Sequence, residues 1–265
     1  MINKVVLITG ASSGFGLETA KHLSNIGYRV YGTSRDKSLK DINFELIQLD
    51  VTSEESINSC IEYVLERENR VDVLINNAGY ILSGFIEETQ IDEAKAVMET
   101  NFYGAVRMTK KVLAIMRQQG SGQIINISSS AGLLAVPNLG FYSASKFALE
   151  GFSETLKYEV EKFNIRVSII EPAIFKTNIG RSKAMAKNKI KEYDSMRRSV
   201  KMALKRGYDN GGDPLKMALL VASIIKEKHP KLRYRIGPNS LLVNCLKWFL
   251  PETINSWALK KYYNL

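Results

Sequence analysis

Cysteine is nearly absent: Cys60 and Cys245 are the two in 265 residues, and they lie far apart. Their separation fits neither a disulfide framework nor a metal-ligand spacing, so a reducing, cytosolic setting with no bound metal is the expectation. Proline is also scarce, at 6 residues, and no Pro/Ser-rich linker divides the chain. A single domain spanning 1–265 is the simplest organisation. Long apolar runs are missing too. The first one, Val5–Ile8, is too short for a signal peptide, and the longest, Met217 to Ile225, sits between Lys216 and Lys226 and cannot span a bilayer. With 45% hydrophobic and 24% charged residues, collagen-like, low-complexity and disordered classes are excluded.

Acidic residues are short in one part of the chain only. The net charge is +10, yet residues 1–180 carry −3 and residues 181–265 carry +13. That asymmetry points to an anionic partner for the last third, while a solvated helical surface would read the same way.

Up to about residue 180, short β-branched runs alternate with helical patterns. Val5–Ile8, Arg29–Thr33, Glu45–Leu49, Val73–Asn76, Gln123–Ser128 and Arg166–Glu171 read as strands, apolar enough to be buried on both faces. Phe15–Asn25, Ser53–Glu66, Ile91–Arg117 and Tyr142–Phe163 read as helices, the second opened by a Thr52–Glu55 capping box. The alternation predicts an α/β fold, a doubly wound, mostly parallel sheet of Rossmann type with helices on both faces. Beyond it, 181–206 predicts one or two basic amphipathic helices, and Gly207 to Gly212 a break. Asp213-Pro214 then caps a helix over Leu215–Glu227, a strand follows near Tyr234–Ile236, and 240–265 forms a C-terminal extension.

The first strand runs into Thr9-Gly10-Ala11-Ser12-Ser13-Gly14-Phe15-Gly16 and then a helix. Three glycines there suit a tight turn, close approach of a phosphate and close helix packing, with the helix N-terminus supplying free N–H groups to a pyrophosphate. A plain structural turn would share the glycines. Further nucleotide-facing positions fall at the ends of other strands: Asp50-Val51, and Asn77-Ala78-Gly79 after Asn76. Where an NAD site usually places a carboxylate for the ribose 2′-OH, this chain has Ser34-Arg35. Arg35 would clamp a 2′-phosphate, which favours NADP(H) over NAD(H), although Asp36 could pair with it.

Tyr142 and Lys146 are four apart at the start of a predicted helix and share a face. An ammonium about 4 Å from a phenol contributes on the order of 4 kcal/mol at an effective dielectric of 20, roughly three pKa units. Such a pair brings tyrosine towards useful proton transfer with a carbonyl oxygen. Tyr-x-x-x-Lys pairs are also common on helix surfaces.

Together with Asn76-Asn77-Ala78-Gly79, Asn101, Ser128-Ser129 and Glu171-Pro172-Ala-Ile-Phe-Lys-Thr177, these motifs run in one order over about residues 5–180. In that set the chain resembles the short-chain dehydrogenase/reductase family, and through Tyr142-Ser-Ala-Ser-Lys146-Phe-Ala-Leu-Glu-Gly151-Phe its hydroxysteroid and retinol dehydrogenase-like members. The resemblance implies that Ser129 polarises the substrate carbonyl and that Tyr142 is the acid/base. It likewise implies that Lys146 holds the nicotinamide ribose and that Asn101 completes a proton relay. It implies cofactor contact at Pro172 and carboxamide contacts at Ile174 and Thr177, with Ala173 standing where the family usually has glycine. A homo-oligomer, dimer or tetramer, is implied as well.

In this family the segment after the sixth strand closes the substrate pocket, which makes 181–212 the lid. Residues 181–206 carry +8. Such a lid suits an acyl carrier, a coenzyme A ester or a phospholipid surface, or is simply solvated. In the tail, Trp248, Phe249, Ile254 and Trp257 stand among Lys247, Lys260 and Lys261, a pattern that fits an interfacial segment on anionic lipid or a stripe packed on the protein itself. The expected function is therefore NADP(H)-dependent hydride transfer to or from a lipophilic carbonyl or alcohol, steroid-, retinoid- or acyl-like, in a cytoplasmic protein that is either free or peripheral to a membrane. A non-catalytic dinucleotide-binding protein acting through its basic end is the alternative. Nucleic acid is not expected, because the basic region matches no recognition module.

Overall fold

The computed structural model describes residues 4–175, 183–238 and 251–264. One Rossmann-like α/β domain is built on a parallel seven-stranded sheet. Its strands are β1 (Val5–Ile8), β2 (Arg29–Ser34), β3 (Glu45–Gln48), β4 (Val73–Asn76), β6 (Gly122–Ile127), β7 (Ile165–Pro172) and β9 (Arg233–Ile236), in the order β3-β2-β1-β4-β6-β7-β9. All six pairings are parallel, as the near-continuous apolar runs require.

Alternate residues of each strand serve opposite faces of the sheet. Val5 and Leu7 join Val64, Met108 and Leu156 in one core, which is covered by α2 (Glu54–Glu68), α4 (Gly104–Gln119) and α5 (Gly140–Val160). Val6 and Ile8 join Ala20, Leu23, Met217 and Val221 in the other, covered by α1 (Gly14–Asn25) and α7 (Pro214–Lys226). A buried polar chain ties the sheet to α4 and α5. Asn76 Nδ2 donates to Thr109 Oγ1 at 3.0 Å and to Asn126 Oδ1 at 2.8 Å, and Asn126 Nδ2 donates to Ser153 Oγ at 2.8 Å.

Four local expectations change. The N-cap of α2 is Ser53, whose hydroxyl accepts from Ser56 N at 3.2 Å, because Thr52 is already engaged with Asp50. The helix expected over Ile91–Arg117 is α3 (Ile91–Met98) and α4 joined through a π-turn at Glu99–Tyr103. The basic segment carries β8 (Lys183–Met185), paired in parallel with β5 (Ile81–Ser83), before a single helix, α6 (Asp194–Asp209). Gly207 lies inside α6 rather than breaking it, with ordinary helical backbone and the tip of the Ile174 side chain packed against it. The tail yields α8 (Glu252–Tyr263), whereas residues 239–250, with Cys245 and Trp248, lie outside the described residues. No helix among the described residues is long and apolar enough to cross a membrane.

Candidate active site

The sheet order reverses between β1 and β4, and the carboxyl ends of those strands open into a cleft of about 810 Å³. Gly10, Ser12, Ser13, Gly14 and Phe15 form one wall. Gly10 has φ +70°, and a Cβ there would come within 2.9 Å of Ala78 Cα, so a side chain is excluded twice. A Cβ at Gly16 would collide with the Gly10 carbonyl, which makes Gly16 the glycine of close packing. Thr9 and Asn77 hold this turn to β4. Asn77 N and Ala78 N both donate to Thr9 Oγ1 at 2.9 Å, and Asn77 Nδ2 donates to the Gly10 carbonyl at 2.8 Å. The N-cap of α1, Ser13, makes no side-chain capping bond, and the first turn carries no acidic residue. Its free N–H groups and positive dipole are therefore uncontested by a carboxylate from the helix itself.

Arg35, Asp50, Val51, Ala78 and Gly79 line the next part of the cleft. Burial pushes the Asp50 carboxyl up, but hydrogen bonds from Thr52 and the nearby Arg35 charge outweigh it and hold the group below its usual range. Asp36 is turned away from Arg35: its carboxylate accepts from Ser38 N at 2.8 Å and from Ser38 Oγ at 2.7 Å.

At the far end, Tyr142 and Lys146 project from the start of α5 into the same cleft. Ser129 does not line it, but its hydroxyl hydrogen-bonds Tyr142 while accepting the Ala131 amide at 3.1 Å. Lys146 is 6% exposed, and its Nζ donates to the Ile127 carbonyl at 2.8 Å, 6.0 Å from the centre of the Tyr142 ring. Burial dominates both groups. It drives Tyr142 up to about 12 against the Ser129 hydrogen bond and Lys146 down to about 8, with Glu150 opposing the latter. This differs from the lowered tyrosine pKa expected from the spacing, because burial is the largest influence on the phenol and the ammonium, 6.0 Å from the ring centre, is itself desolvated. Asn101, 1% exposed, lies in the π-turn behind Gly79. Its Oδ1 accepts from Tyr80 N at 2.9 Å, and its Nδ2 donates to the Tyr80 carbonyl at 3.0 Å and to Ser145 Oγ at 3.1 Å.

A dinucleotide fits this arrangement: an anion-binding helix terminus at one end, a tyrosine–lysine pair at the other, and a cleft of dinucleotide size between them. The family model described as short chain dehydrogenase matches residues 4–188. The chain belongs to the short-chain dehydrogenase/reductase family. It is 40% identical to 3-ketodihydrosphingosine reductase of Bacteroides thetaiotaomicron, over 98% of each chain. A short-chain dehydrogenase from Streptomyces avermitilis superposes with a TM-score of 0.83 at 34% identity, covering 98% of this chain and 97% of that one. A short chain dehydrogenase/reductase from Burkholderia phymatum, in complex with NAD, gives 0.76 at 25% identity over 87% and 88%. This family member is an oxidoreductase of the alcohol–carbonyl couple with a nicotinamide dinucleotide as its cofactor. A purely dinucleotide-binding role finds no support among these relatives.

Two of the expected residues of this dehydrogenase/reductase, Pro172 and Ile174, do not line the cleft. Pro172 is buried at the end of β7, Ile174 packs on Gly207, and Thr177 lies outside the described residues. Sequence reasoning passed over Tyr80, which lines the cleft, and Tyr208 of α6, whose charge would oppose ionisation of Tyr142. It also passed over Glu150, although its place four residues after Lys146 on one helix face was a usable signal.

Proposed function

We propose that this protein reduces the ketone of a long-chain lipophilic substrate with NADPH. The observation carrying the reading is that Tyr142 and Lys146 share one cleft with the Gly10–Phe15 turn and Arg35, with Ser129 hydrogen-bonded to Tyr142. A dinucleotide held there would supply the hydride. Ser129, held against Tyr142 rather than in the cleft wall, orients the phenol, and Tyr142 delivers its proton to the carbonyl oxygen as charge develops there. Lys146 would hold the nicotinamide ribose, and its ammonium favours the ionised phenol left behind. Asn101 keeps the Tyr80 backbone and the wall behind Gly79 in place for that proton's return path.

Arg35 supports the NADP(H) preference, since a cation lines the cleft where a ribose-binding carboxylate would reject a 2′-phosphate. Identity to a reductase named for 3-ketodihydrosphingosine over nearly the whole length, lid segment included, supports a long-chain keto substrate. Met185, exposed beside the cleft-lining Ala184, adds apolar surface at the rim. The test is oxidation of NADPH and of NADH with 3-ketodihydrosphingosine, a ketosteroid, retinal, a long-chain 3-ketoacyl thioester and a short ketone. Fastest turnover with NADPH and a long-chain ketone is expected. Preference for NADH, or turnover of the short ketone alone, overturns the reading.

A further inference from the structure

Helices α6 and α8 carry a surface that the proposed reaction does not use. In α6, Gly207 packs on Ile174, and the charge of an ionised Tyr208 would be felt at Tyr142. Val200, Ala203 and Leu204 of α6 pack on Leu259 and Tyr263, so α8 is fastened to α6.

The outer faces have a different character. Along α8, Ile254, Trp257 and Lys261 are spaced three and four apart on the side opposite Tyr263, with Trp257 61% and Ile254 43% exposed. Lys261 Nζ lies 4.9 Å from the Trp257 ring centre, and Lys260 stands beside it. On α6, Arg198, Lys201, Lys205 and Arg206 are exposed around Met202, which is 56% exposed. Arg197 is excluded from this surface, because it turns inward to the buried Glu88 and to Asp194. The exposed α6 residues stand on the side of α6 away from Val200 and Ala203, so the cations beside Trp257 are Lys260 and Lys261, with Glu252 the acidic residue of α8.

An exposed tryptophan and isoleucine beside two lysines match the chemistry of an anionic phospholipid surface. The rings and aliphatic groups enter the headgroup–acyl boundary while the cations meet lipid phosphates and carboxylates. A second copy of the chain is a poorer occupant, since a two-fold contact through this face would set lysines against lysines. We propose that α8 docks on anionic bilayers through Trp257, Ile254, Lys260 and Lys261. Docking there holds α8, and α6 packed on it, at the membrane, where a long-chain substrate is dissolved.

The test is sedimentation of the full-length protein with phosphatidylcholine vesicles, and with vesicles of roughly three parts phosphatidylcholine to one part phosphatidylserine. Binding to the anionic vesicles alone is expected, with loss between about 0.05 M and about 0.5 M salt. Replacing Lys260 and Lys261 together by Glu should weaken binding more than about tenfold, since each basic residue near such a surface contributes roughly five-fold. Trp257→Ser should weaken it as well. Dinucleotide binding by both variants confirms that they are folded. No binding at low salt, equal and salt-independent binding to neutral vesicles, or variants that sediment like the parent would each overturn the proposal. So would a parent dimer that Trp257→Ser dissolves, which would give the face to a second copy. None of these readouts needs turnover, so the proposal stands or falls apart from the choice of substrate.

Discussion

Glu150 stands one helical turn beyond Lys146 on α5, and its charge opposes the loss of the Lys146 proton in a site where burial favours that loss. Arg233 of β9 holds the carboxylate from behind at 3.2 Å, and its other nitrogens reach Glu154. The lysine that faces the cofactor cleft is thus connected to the edge strand of the sheet through a chain of opposite charges.

Replacing Glu150 by Gln removes the charge that keeps Lys146 protonated. The alkaline limb of the kcat/KM profile should move to lower pH, with a loss of roughly five- to tenfold near pH 8 and little change near pH 6. Glu150→Asp should restore much of the profile. An unshifted limb in Glu150→Gln would show that the carboxylate supports only the packing of α5 on β9.

A second carboxylate in the same cluster makes stability depend on pH. Burial, aided by the neighbouring Glu150 charge, lifts Glu171 to about 7 from an ordinary 4.5, and Arg235 and Arg233 pull the other way. The folded state therefore keeps a proton that the unfolded chain releases above pH 4.5. That contribution to stability is complete below pH 4.5 and is lost as pH rises to about 7, a change on the order of 3 kcal/mol. Thermal unfolding of the parent should show this downward slope across the window, and Glu171→Gln should flatten it. Equal slopes in the two proteins would remove Glu171 as the cause.

The sheet was legible because strands buried on both faces leave unbroken apolar runs such as Val73–Asn76. The glycine turn and the tyrosine–lysine pair were legible because their chemistry depends on spacing along one chain. What escaped depends on contacts between distant segments. The β5–β8 pair has three residues a side, too few for a period, and forms because Gly84 lets Ala186 approach closely. The π-turn at Asn101 interrupts a helix whose apolar spacing gives no warning, and the two Tyr80 hydrogen bonds give Asn101 its fixed place. At α2 the error was one residue, since both Thr52 and Ser53 can cap and only the fold hands Thr52 to Asp50.

Tyr142→Phe removes the hydroxyl that meets Ser129 and leaves the Gly10–Phe15 turn, Arg35 and Lys146 in place. Turnover should fall by about 10²- to 10⁴-fold, the usual worth of a positioned proton donor, while the dinucleotide Kd stays within a few-fold. Fluorescence titration with NADPH beside steady-state rates separates the two effects. Turnover within tenfold of the parent would remove the phenol from the chemical step.

On the proposed reading Arg35 separates NADPH from NADH, because its guanidinium is left free for a phosphate. Asp36 is occupied with Ser38, Ser34 offers no carboxylate to a ribose hydroxyl, and Asp50, which feels the Arg35 charge, is itself hydrogen-bonded to Thr52. Among the described residues no ion pair holds Arg35. A 2′-phosphate would give it a doubly charged partner, whereas the 2′-hydroxyl of NADH gives it a neutral one. Arg35→Ala should therefore weaken NADPH by about 10- to 150-fold, the worth of one charge-assisted contact of roughly 1.5–3 kcal/mol, and leave NADH nearly unchanged. Arg35→Lys should recover only part of the loss, because a point charge cannot reproduce the paired contacts of the planar fork. Equal weakening of both dinucleotides, or tighter NADH binding in the parent, would contradict the assignment of Arg35 to the phosphate.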